Sequence, residues 1–333
     1  MIELTFIFIV TIIFIFFIKK YASSLGLLDI PNERSTHTNQ TPRGAGIAFS
    51  FASLLGIILF HFDLAYSNKW VMLAILLVLI VGMLDDRHDT SPKTKFIIII
   101  LSTILLNCDD IVIDNLGIFF GYELSLGWFA LPFTIFAVSG FTNALNLIDG
   151  LDGLAASVSI VILGTFLYIG YINDDSFMMI LSSTFIVSLF AFLLFNWHPA
   201  SIFMGDSGSL TLGFVISTLS IKSLAYIPTI SILFIASIPI LDTLIVMIRR
   251  KRTGHSAFRA DRCHMHHILR HFFKENTVKT VLFFIVLQLI YSLTGTLFEK
   301  GSDEGIILFL YLLNVALLYL MISAMISRQN RVC

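Results

Sequence analysis

The chain has 333 residues, of which 57% are hydrophobic and only 13% are charged, and its formal net charge is -1. Soluble domains carry about 25% charged residues, so this composition excludes an ordinary soluble protein and indicates a protein that lies in lipid. The three cysteines, Cys108, Cys263 and Cys333, are widely spaced and form no CxxC pair, which argues against a disulfide framework and a zinc ribbon.

Apolar runs long enough to cross a bilayer recur along the whole chain. A transmembrane helix needs about 20 mostly apolar residues, or about 17 when it is short and untilted. The first run is interpreted as a retained span with its N-terminus outside, because Lys19 and Lys20 follow it and no small-residue cleavage site is present. By this rule we predict eleven spans, near residues 2–18, 44–62, 70–84, 95–107, 127–145, 154–172, 176–195, 209–226, 228–248, 279–297 and 305–326.

One stretch between these runs, residues 109–126, is too polar to span the membrane and too apolar for free coil. It is predicted to form a hairpin or an interfacial segment on the outside. The predicted fold class is therefore all-α: a polytopic integral membrane protein with about 10 to 11 transmembrane helices.

The basic residues lie almost entirely on one side of the predicted spans. With the N-terminus outside, 18 of the 21 lysines and arginines fall inside, and only Lys69, Lys222 and Lys300 fall outside. Such an imbalance follows the positive-inside rule, so the C-terminus and the polar loops are predicted to face the cytoplasm. No linker or repeat divides residues 1–333, which are predicted to form one transmembrane domain. Its inside segments lie near residues 19–43, 85–94, 146–153, 196–208 and 249–278.

The third predicted span ends on the acidic motif Asp85-Asp86-Arg87-His88-Asp89. Two adjacent carboxylates repel each other, and holding them together at a membrane boundary is costly unless a cation is nearby. Magnesium bound to a diphosphate would supply such a cation. A solvated loop that merely ends the helix explains the motif equally well, so both interpretations stay open at this point.

A second cluster follows the fifth predicted span, where Asn143, Asn146, Asp149 and Asp152 recur every three residues. On a helical path this spacing places amides and carboxylates along one stripe. Gly150 and Gly153 let a ligand approach the backbone or let the helix break. A capped helix end accounts for one aspartate and one glycine but not for four aligned oxygen donors, so a binding site is favoured.

The segment Gly205-Asp206-Ser207-Gly208-Ser209 opens the eighth predicted span. A helix N-terminus of this kind suits an anion or a metal-bound phosphate. The alternative is that Asp206 or Ser207 only caps the helix. A further acid, Asp242, lies inside the ninth span, where it either faces the site or pairs with a neighbouring helix.

The loop after the ninth span is basic and holds five of the nine histidines, at positions 255, 264, 266, 267 and 271. Clustered histidines can ligate zinc. Their arginine neighbours disfavour a cation, however, and Arg262 with His264, His266 and His267 fits recognition of a diphosphate better. An ordinary positive-inside loop explains residues 249–252 but not these histidines.

The ordered motifs DDR, NALNLIDGLDGL, FMGDSGS and ADRCHMHH resemble those of the bacterial polyprenyl-phosphate N-acetylhexosamine-1-phosphate transferases, over residues 29–271. The resemblance implies transfer of a sugar 1-phosphate from a UDP-N-acetylhexosamine to undecaprenyl phosphate, with release of UMP, at the cytoplasmic face of the bacterial inner membrane. N-acetylglucosamine is the default sugar, and the 6-deoxy sugars N-acetylfucosamine and N-acetylquinovosamine stay open. The product would start a cell-surface glycan such as O-antigen or teichoic acid.

The same resemblance implies roles for individual residues. Asn146 and Asp206 would bind magnesium, with manganese as the alternative metal, and Asp85, Asp86 and Asp206 would be catalytic. The implied substrate-binding residues are Arg43, Lys95, Asn143, Asp149, Asp152, Arg262, His264, His266 and His267. The expected partners are the UDP-sugar, undecaprenyl phosphate and membrane lipid, without nucleic acid; a homodimer is left open.

Two mechanisms and two other functions stay open on the sequence alone. The lipid phosphate attacks the UDP-sugar directly, with Asp85 steering or deprotonating it, or a phospho-aspartate forms at Asp206 or Asp86. A membrane prenyltransferase would use the acidic motif at 85–89 as DDxxD but leaves the histidine loop unexplained. A transporter predicts acids near the bilayer midplane, whereas most acids here lie at the ends of spans, with Asp242 as the main exception.

Overall fold

The computed structural model describes residues 1–29, 40–252, 254 and 264–328. Within these residues the chain is mostly helical, which confirms the predicted all-α class. The helices are α1 (Ile2–Leu25), α2 (Ala45–Phe60), α3 (Phe62–Ser67), α4 (Lys69–His88), α5 (Pro92–Leu106), α6 (Ala130–Ile148), α7 (Leu154–Ile172), α8 (Ser176–Asn196), α9 (Asp206–Ser223), α10 (Ser231–Ile235), α11 (Ser237–Arg252), α12 (Met265–Phe272), α13 (Thr277–Thr296) and α14 (Glu304–Arg328).

Each of the eleven predicted spans is helical in the structure. Among the described residues, six helices are long and apolar enough to cross a membrane: α1, α6 with the turn before it, α7, α8, α13 and α14. The other predicted spans correspond to α2, α4, α5, α9 and the pair α10–α11. The protein is therefore a multi-pass membrane protein, whereas the exact number of spans and the single domain stay predictions.

Four short strands supplement the helices. Strands β3 (Asn115–Phe119) and β4 (Tyr122–Ser125) pair antiparallel and confirm the predicted hairpin between the fourth and fifth spans. Strands β1 (Leu28–Asp29) and β2 (Thr41–Pro42) pair at the base of the first inside loop. This second pairing was not predicted, and it brings both ends of that loop to the same place.

Helix α9 lies at the centre of the bundle. All of its residues except Asp206 and Lys222 are buried, whereas α1 and α14 expose many large apolar side chains. Helices α2, α4, α6 and α7 pack around α9. The first residue of α9 is therefore surrounded by the ends of other helices, and these positions contain the predicted site residues.

Glycines allow this close packing around the start of α9. A Cβ atom on Gly46 of α2 would lie 1.9 Å from the backbone nitrogen of Gly208. A Cβ atom on Gly82 of α4 would lie 2.5 Å from Cα of Ser207. Small residues let transmembrane helices approach this closely, so these glycines fix the position of α9 relative to α2 and α4.

The ninth predicted span is not one helix but two, because α10 ends at Ile235 and α11 begins at Ser237. Pro239 has no N–H to donate to the carbonyl of Ile235, four residues earlier. Gln288 of α13 supplies the missing donor, because its Nε2 donates to the Ile235 carbonyl at 2.7 Å. Its Oε1 accepts from the backbone nitrogen of Ile238 at 3.0 Å. Broken helices persist in a membrane when neighbouring side chains satisfy the freed backbone groups.

Candidate active site

A cavity of about 340 Å³ opens at the end of the bundle where α9 begins. Each of the five predicted inside segments contributes at least one residue to it. Five of the lining residues are aspartates, whereas one is an arginine, so the cavity attracts a cation. The lining residues are Asp29, Arg43, Asp86, Asn146, Asp149, Gly150, Leu151, Asp152, Asn196, Phe203, Met204, Gly205, Asp206 and His267.

Asp206 is the centre of a polar network that joins four helices, α4, α5, α6 and α9. Lys95 Nζ lies 2.7 Å from Asp206 Oδ2 and 3.1 Å from Asp85 Oδ2, so one ammonium group bridges two carboxylates. Asn146 Nδ2 donates to Asp206 Oδ1 at 3.0 Å and to Ser209 Oγ at 2.8 Å. Because both amide hydrogens of Asn146 are used, its oxygen is the atom left to bind a cation.

Asp86 caps α9 from the neighbouring helix α4. Its carboxylate accepts hydrogen bonds from the backbone nitrogens of Asp206, at 2.8 Å, and Ser207, at 3.1 Å. Gly205 has φ 74°, and a Cβ atom there would lie 2.4 Å from Asp86 Oδ1. The backbone amides at the start of α9, which were predicted to bind an anion, thus donate to a carboxylate of the protein itself. The side chain that caps α9 is that of Asp86, and not that of Asp206 or Ser207.

Asp149 follows the last residue of α6 and lines the cavity. Its carboxylate has no hydrogen-bond partner among the residues that the structure describes. Burial, together with the charges of Asp206, Asp86 and Asp152, raises the pKa of Asp149 to about 7. Burial also raises the pKa of Asp86, to about 6, and that of Asp206. A bound cation would relieve this mutual repulsion.

The donor set suits magnesium. Asp149 and Asp206 offer carboxylate oxygens, and Asn146 offers an amide oxygen, which are the ligand types that hard cations prefer. The Asp149 carboxylate has no basic partner among the residues that the structure describes, and this observation favours a bound cation next to it. Magnesium binding stays a prediction for Asn146 and Asp206, to which the geometry adds Asp149 as a candidate ligand.

Replacing Asp149 with asparagine is expected to raise the melting temperature of the metal-free protein at pH 8 more than at pH 5. A carboxyl whose pKa rises from 3.8 to about 7 on folding costs stability increasingly as the pH rises between these values, and costs most above pH 7. The substitution removes that cost, which is larger at pH 8 than at pH 5. Thermal unfolding of both proteins in detergent measures it, and equal shifts at the two pH values would contradict the expectation.

Asp152 binds the loop between α8 and α9. Its Oδ2 lies 2.7 Å from His198 Nδ1 and accepts from the nitrogen of Ala200 at 3.1 Å. Asp152 lines the cavity as expected for a nucleotide contact, but these bonds also make it an anchor for the loop.

Asn196, at the end of α8, is buried and fixes the same loop from the other side. Its Oδ1 accepts from the nitrogen of Gly153, and its Nδ2 donates to the carbonyl of Ile202, both at 2.9 Å. Sequence reasoning assigned no role to Asn196 or His198. The available signal was only that two polar residues stand between two apolar spans.

The three histidines that were predicted to bind the diphosphate, at positions 264, 266 and 267, have different surroundings. His267 lines the cavity, whereas His264 and His266 are buried next to Asp242. His264 Nδ1 lies 2.5 Å from Asp242 Oδ2, and the nitrogen of Met265 donates to Asp242 Oδ1 at 2.6 Å. Asp242 therefore pairs with the start of α12, which settles the choice that the sequence left open. Burial and the neighbouring histidines lower the pKa of His267 to about 3, so its ring is neutral.

The other predicted substrate-binding residues differ in placement. Arg43 lines the cavity, and its Nη2 lies 3.4 Å from Asp89 Oδ1. Asn143 lies on α6 but is not among the residues that line the cavity. Arg262 lies outside the described residues. Of the four oxygen donors predicted to lie along one stripe, Asn146, Asp149 and Asp152 line the cavity and Asn143 does not.

Comparison with known proteins is consistent with this geometry. Residues 69–224 match the family described as Glycosyl transferase family 4. A probable undecaprenyl-phosphate N-acetylglucosaminyl 1-phosphate transferase of Bacillus subtilis (strain 168) is 30% identical over 315 residues, which cover 93% of this chain and 87% of the relative. The undecaprenyl-phosphate alpha-N-acetylglucosaminyl 1-phosphate transferase of Escherichia coli (strain K12) is 30% identical over 323 residues, which cover 93% and 88%. A Yersinia pestis protein of the latter name is 31% identical over 277 residues, which cover 80% and 76%.

Proposed function

We propose, since the chain belongs to glycosyl transferase family 4 and is a phosphoglycosyltransferase, that it transfers N-acetylglucosamine 1-phosphate from UDP-N-acetylglucosamine to undecaprenyl phosphate. The products are UMP and the lipid diphosphate sugar. The observation that carries the proposal is the cavity where Asn146, Asp149 and Asp206 meet, because its oxygen donors suit a metal-bound diphosphate.

The cavity suits a nucleotide beside this acidic centre. Its volume of about 340 Å³ is within the range of small-molecule sites. Leu151, Phe203 and Met204 give it an apolar stretch for a base, and Asp149 and Asp152 lie next to that stretch. We place the uridine part of the UDP-sugar there, with the diphosphate towards Asp206.

The chemical obstacle is the approach of one anion to another. The second pKa of a phosphate monoester is about 6, so undecaprenyl phosphate is mostly dianionic near neutral pH and needs little help from a base. Magnesium, when bound by Asn146, Asp149 and Asp206, would neutralise charge on the diphosphate. Lys95 supplies a fixed positive charge beside Asp206, and the neutral ring of His267 offers an N–H to a phosphate oxygen.

Transfer then takes place by attack of a lipid phosphate oxygen on the β-phosphorus of the UDP-sugar. The bond from the β-phosphorus to the bridging oxygen breaks, and UMP leaves with that oxygen. Asp85 steers the attacking phosphate through its contact with Lys95. A covalent route through Asp86 is disfavoured, because both of its oxygens accept backbone hydrogen bonds. Inversion at a chirally labelled β-phosphorus supports direct attack, whereas retention supports a phospho-aspartate at Asp206.

The test is to incubate purified protein with undecaprenyl phosphate and UDP-N-acetylglucosamine and to measure UMP release. The proposal expects one UMP for each lipid diphosphate sugar, and loss of both products when EDTA removes divalent cations, with recovery on adding magnesium. Pyrophosphate released from a prenyl diphosphate would instead indicate a prenyltransferase. UDP-N-acetylfucosamine and UDP-N-acetylquinovosamine in parallel reactions identify the sugar.

We place this reaction at the cytoplasmic leaflet of the bacterial inner membrane. Support comes from the 18 basic residues predicted to lie on the inside, which is also the side whose predicted loop segments line the cavity. The lipid tail then lies along the helices while its phosphate reaches the end of the bundle. The glycan that the product starts, for instance O-antigen or teichoic acid, depends on the enzymes that extend it.

A further inference from the structure

Asp242 is a buried carboxylate that the proposed chemistry does not use. It lies in α11 with 1% of its surface exposed, and it does not line the cavity. Its Oδ1 accepts from the nitrogen of Met265, the first residue of α12, and its Oδ2 faces His264 Nδ1 at 2.5 Å. Since an ionised carboxylate can only accept, His264 carries a proton on Nδ1.

His266 joins this cluster to the cavity. Its side chain is 1% exposed, and its Nδ1 lies 3.6 Å from Asp242 Oδ1. The other ring nitrogen, Nε2, lies 2.6 Å from the position that a Cβ atom on Gly150 would occupy. The ring therefore packs directly on the turn that carries Asp149. The ring of His267 is next to it, with 4.3 Å between the centroids.

Asp242, His264 and His266 hold their ligating atoms within 4.8 Å of one another, so a metal site is the first alternative. Oδ2 of Asp242, however, lies only 2.5 Å from His264 Nδ1, a distance that fits a shared proton and is short for two ligands of one metal, and Oδ1 accepts from the backbone nitrogen of Met265. The arrangement instead parallels Asp86, which accepts the first backbone nitrogens of α9 from another helix. The two caps fix two helix N-termini at the same cavity.

We propose that Asp242 is a positioning residue for the transfer reaction. It holds the first turn of α12, through Met265 and His264, so that His267 enters the cavity and meets the diphosphate of the UDP-sugar. The role of His267 rests on the proposed function, whereas the hold of Asp242 on α12 does not. Asp242 itself touches no substrate.

A double-mutant cycle with Asp242→Ala and His267→Ala tests the proposal. Each single variant is expected to lower kcat/KM about 10- to 100-fold, mainly by raising KM for the UDP-sugar, while KM for undecaprenyl phosphate changes less than about twofold. If Asp242 acts through His267, the double variant is no worse than His267→Ala. Asp242→Asn keeps an acceptor for Met265 and is expected to recover most of the loss. Multiplied losses in the double variant would overturn the proposal.

Hydrogen–deuterium exchange of the full-length protein without substrate supplies a second measurement. Asp242→Ala is expected to speed exchange in α12 by tenfold or more. The matched control is Asp109→Ala, because Asp109 also caps a helix from outside it. Its Oδ2 accepts from the backbone nitrogen of Val71 at 2.9 Å, at the end of α4 that lies away from the cavity. Unchanged exchange in α12 would overturn the proposal even if the enzyme is active.

The two proposals can fail separately. If the wild type transfers no sugar phosphate but exchange in α12 is faster in Asp242→Ala, the proposed function is wrong and the positioning role of Asp242 stands. If Asp242→Ala does not fold, His264→Ala replaces it in both measurements, because this variant removes the contact between His264 Nδ1 and Asp242 Oδ2.

Discussion

Asp206→Ala is expected to lower the rate of sugar-phosphate transfer by about 10³-fold or more, while the protein still inserts into the membrane. The side chain bonds Lys95 and Asn146, so its loss removes a candidate metal ligand and one contact of each of these two residues. Asp86 still caps α9, because it bonds the backbone nitrogen of residue 206 and not the side chain. The variant should therefore fold. UMP release from purified protein measures the effect.

The matched control is Asp174→Asn, which removes an exposed carboxylate from the turn between α7 and α8, at the other end of the bundle. It is expected to keep wild-type turnover. Asp206→Ala protein with normal expression, a normal melting temperature and wild-type turnover would show that the cavity is not where transfer takes place.

Lys95→Met is expected to lower turnover by about 10²- to 10³-fold. The ammonium group lies within 3.1 Å of carboxylate oxygens of both Asp85 and Asp206. Without it two anions of the protein face two anionic substrates, and like charges at such separations repel strongly where water is scarce. Raised magnesium should restore part of the rate, because the metal supplies some of the missing positive charge.

Lys93→Met provides the comparison for this prediction, since Lys93 is exposed in the same first turn of α5 and has no ion pair in the described part of the chain. Loss of one positive charge near the membrane surface is common to both variants. Equal effects of the two substitutions would mean that only the general charge of this surface matters, and not the bridge between Asp85 and Asp206.

The sequence was sufficient to predict the helices and the end of the bundle at which the site forms. Apolar runs fix where helices cross lipid, and the loop charges sort the polar segments onto one side. Asp206, Asn146 and Asp149 meet as expected, because each stands at the end of a span on that side. The hairpin at 115–125 follows equally from a stretch too polar to cross.

Contacts between helices distant in sequence were not predictable in the same way. Asp86 and the nitrogen of Asp206 are 120 residues apart, and only the packing of α4 on α9 turns a presumed phosphate contact into a helix cap. Asp242 likewise needs the position of α12. The break at Ala236 carried a sequence signal in Pro239, but its stability depends on Gln288, which lies on another helix.

The proposed transfer requires that a UDP-sugar reaches Asp206 from the cytoplasm, and sealed vesicles of known orientation test this most directly. UDP-N-acetylglucosamine does not cross a membrane unaided, so it is added to inside-out and right-side-out vesicles that contain undecaprenyl phosphate, and UMP release is measured. We expect UMP from intact inside-out vesicles and from right-side-out vesicles only after permeabilisation, with a rate lower by about 10³-fold or more in either case for Asp206→Ala. Release from intact right-side-out vesicles, or release at the wild-type rate from the Asp206→Ala protein, would contradict this orientation of the site.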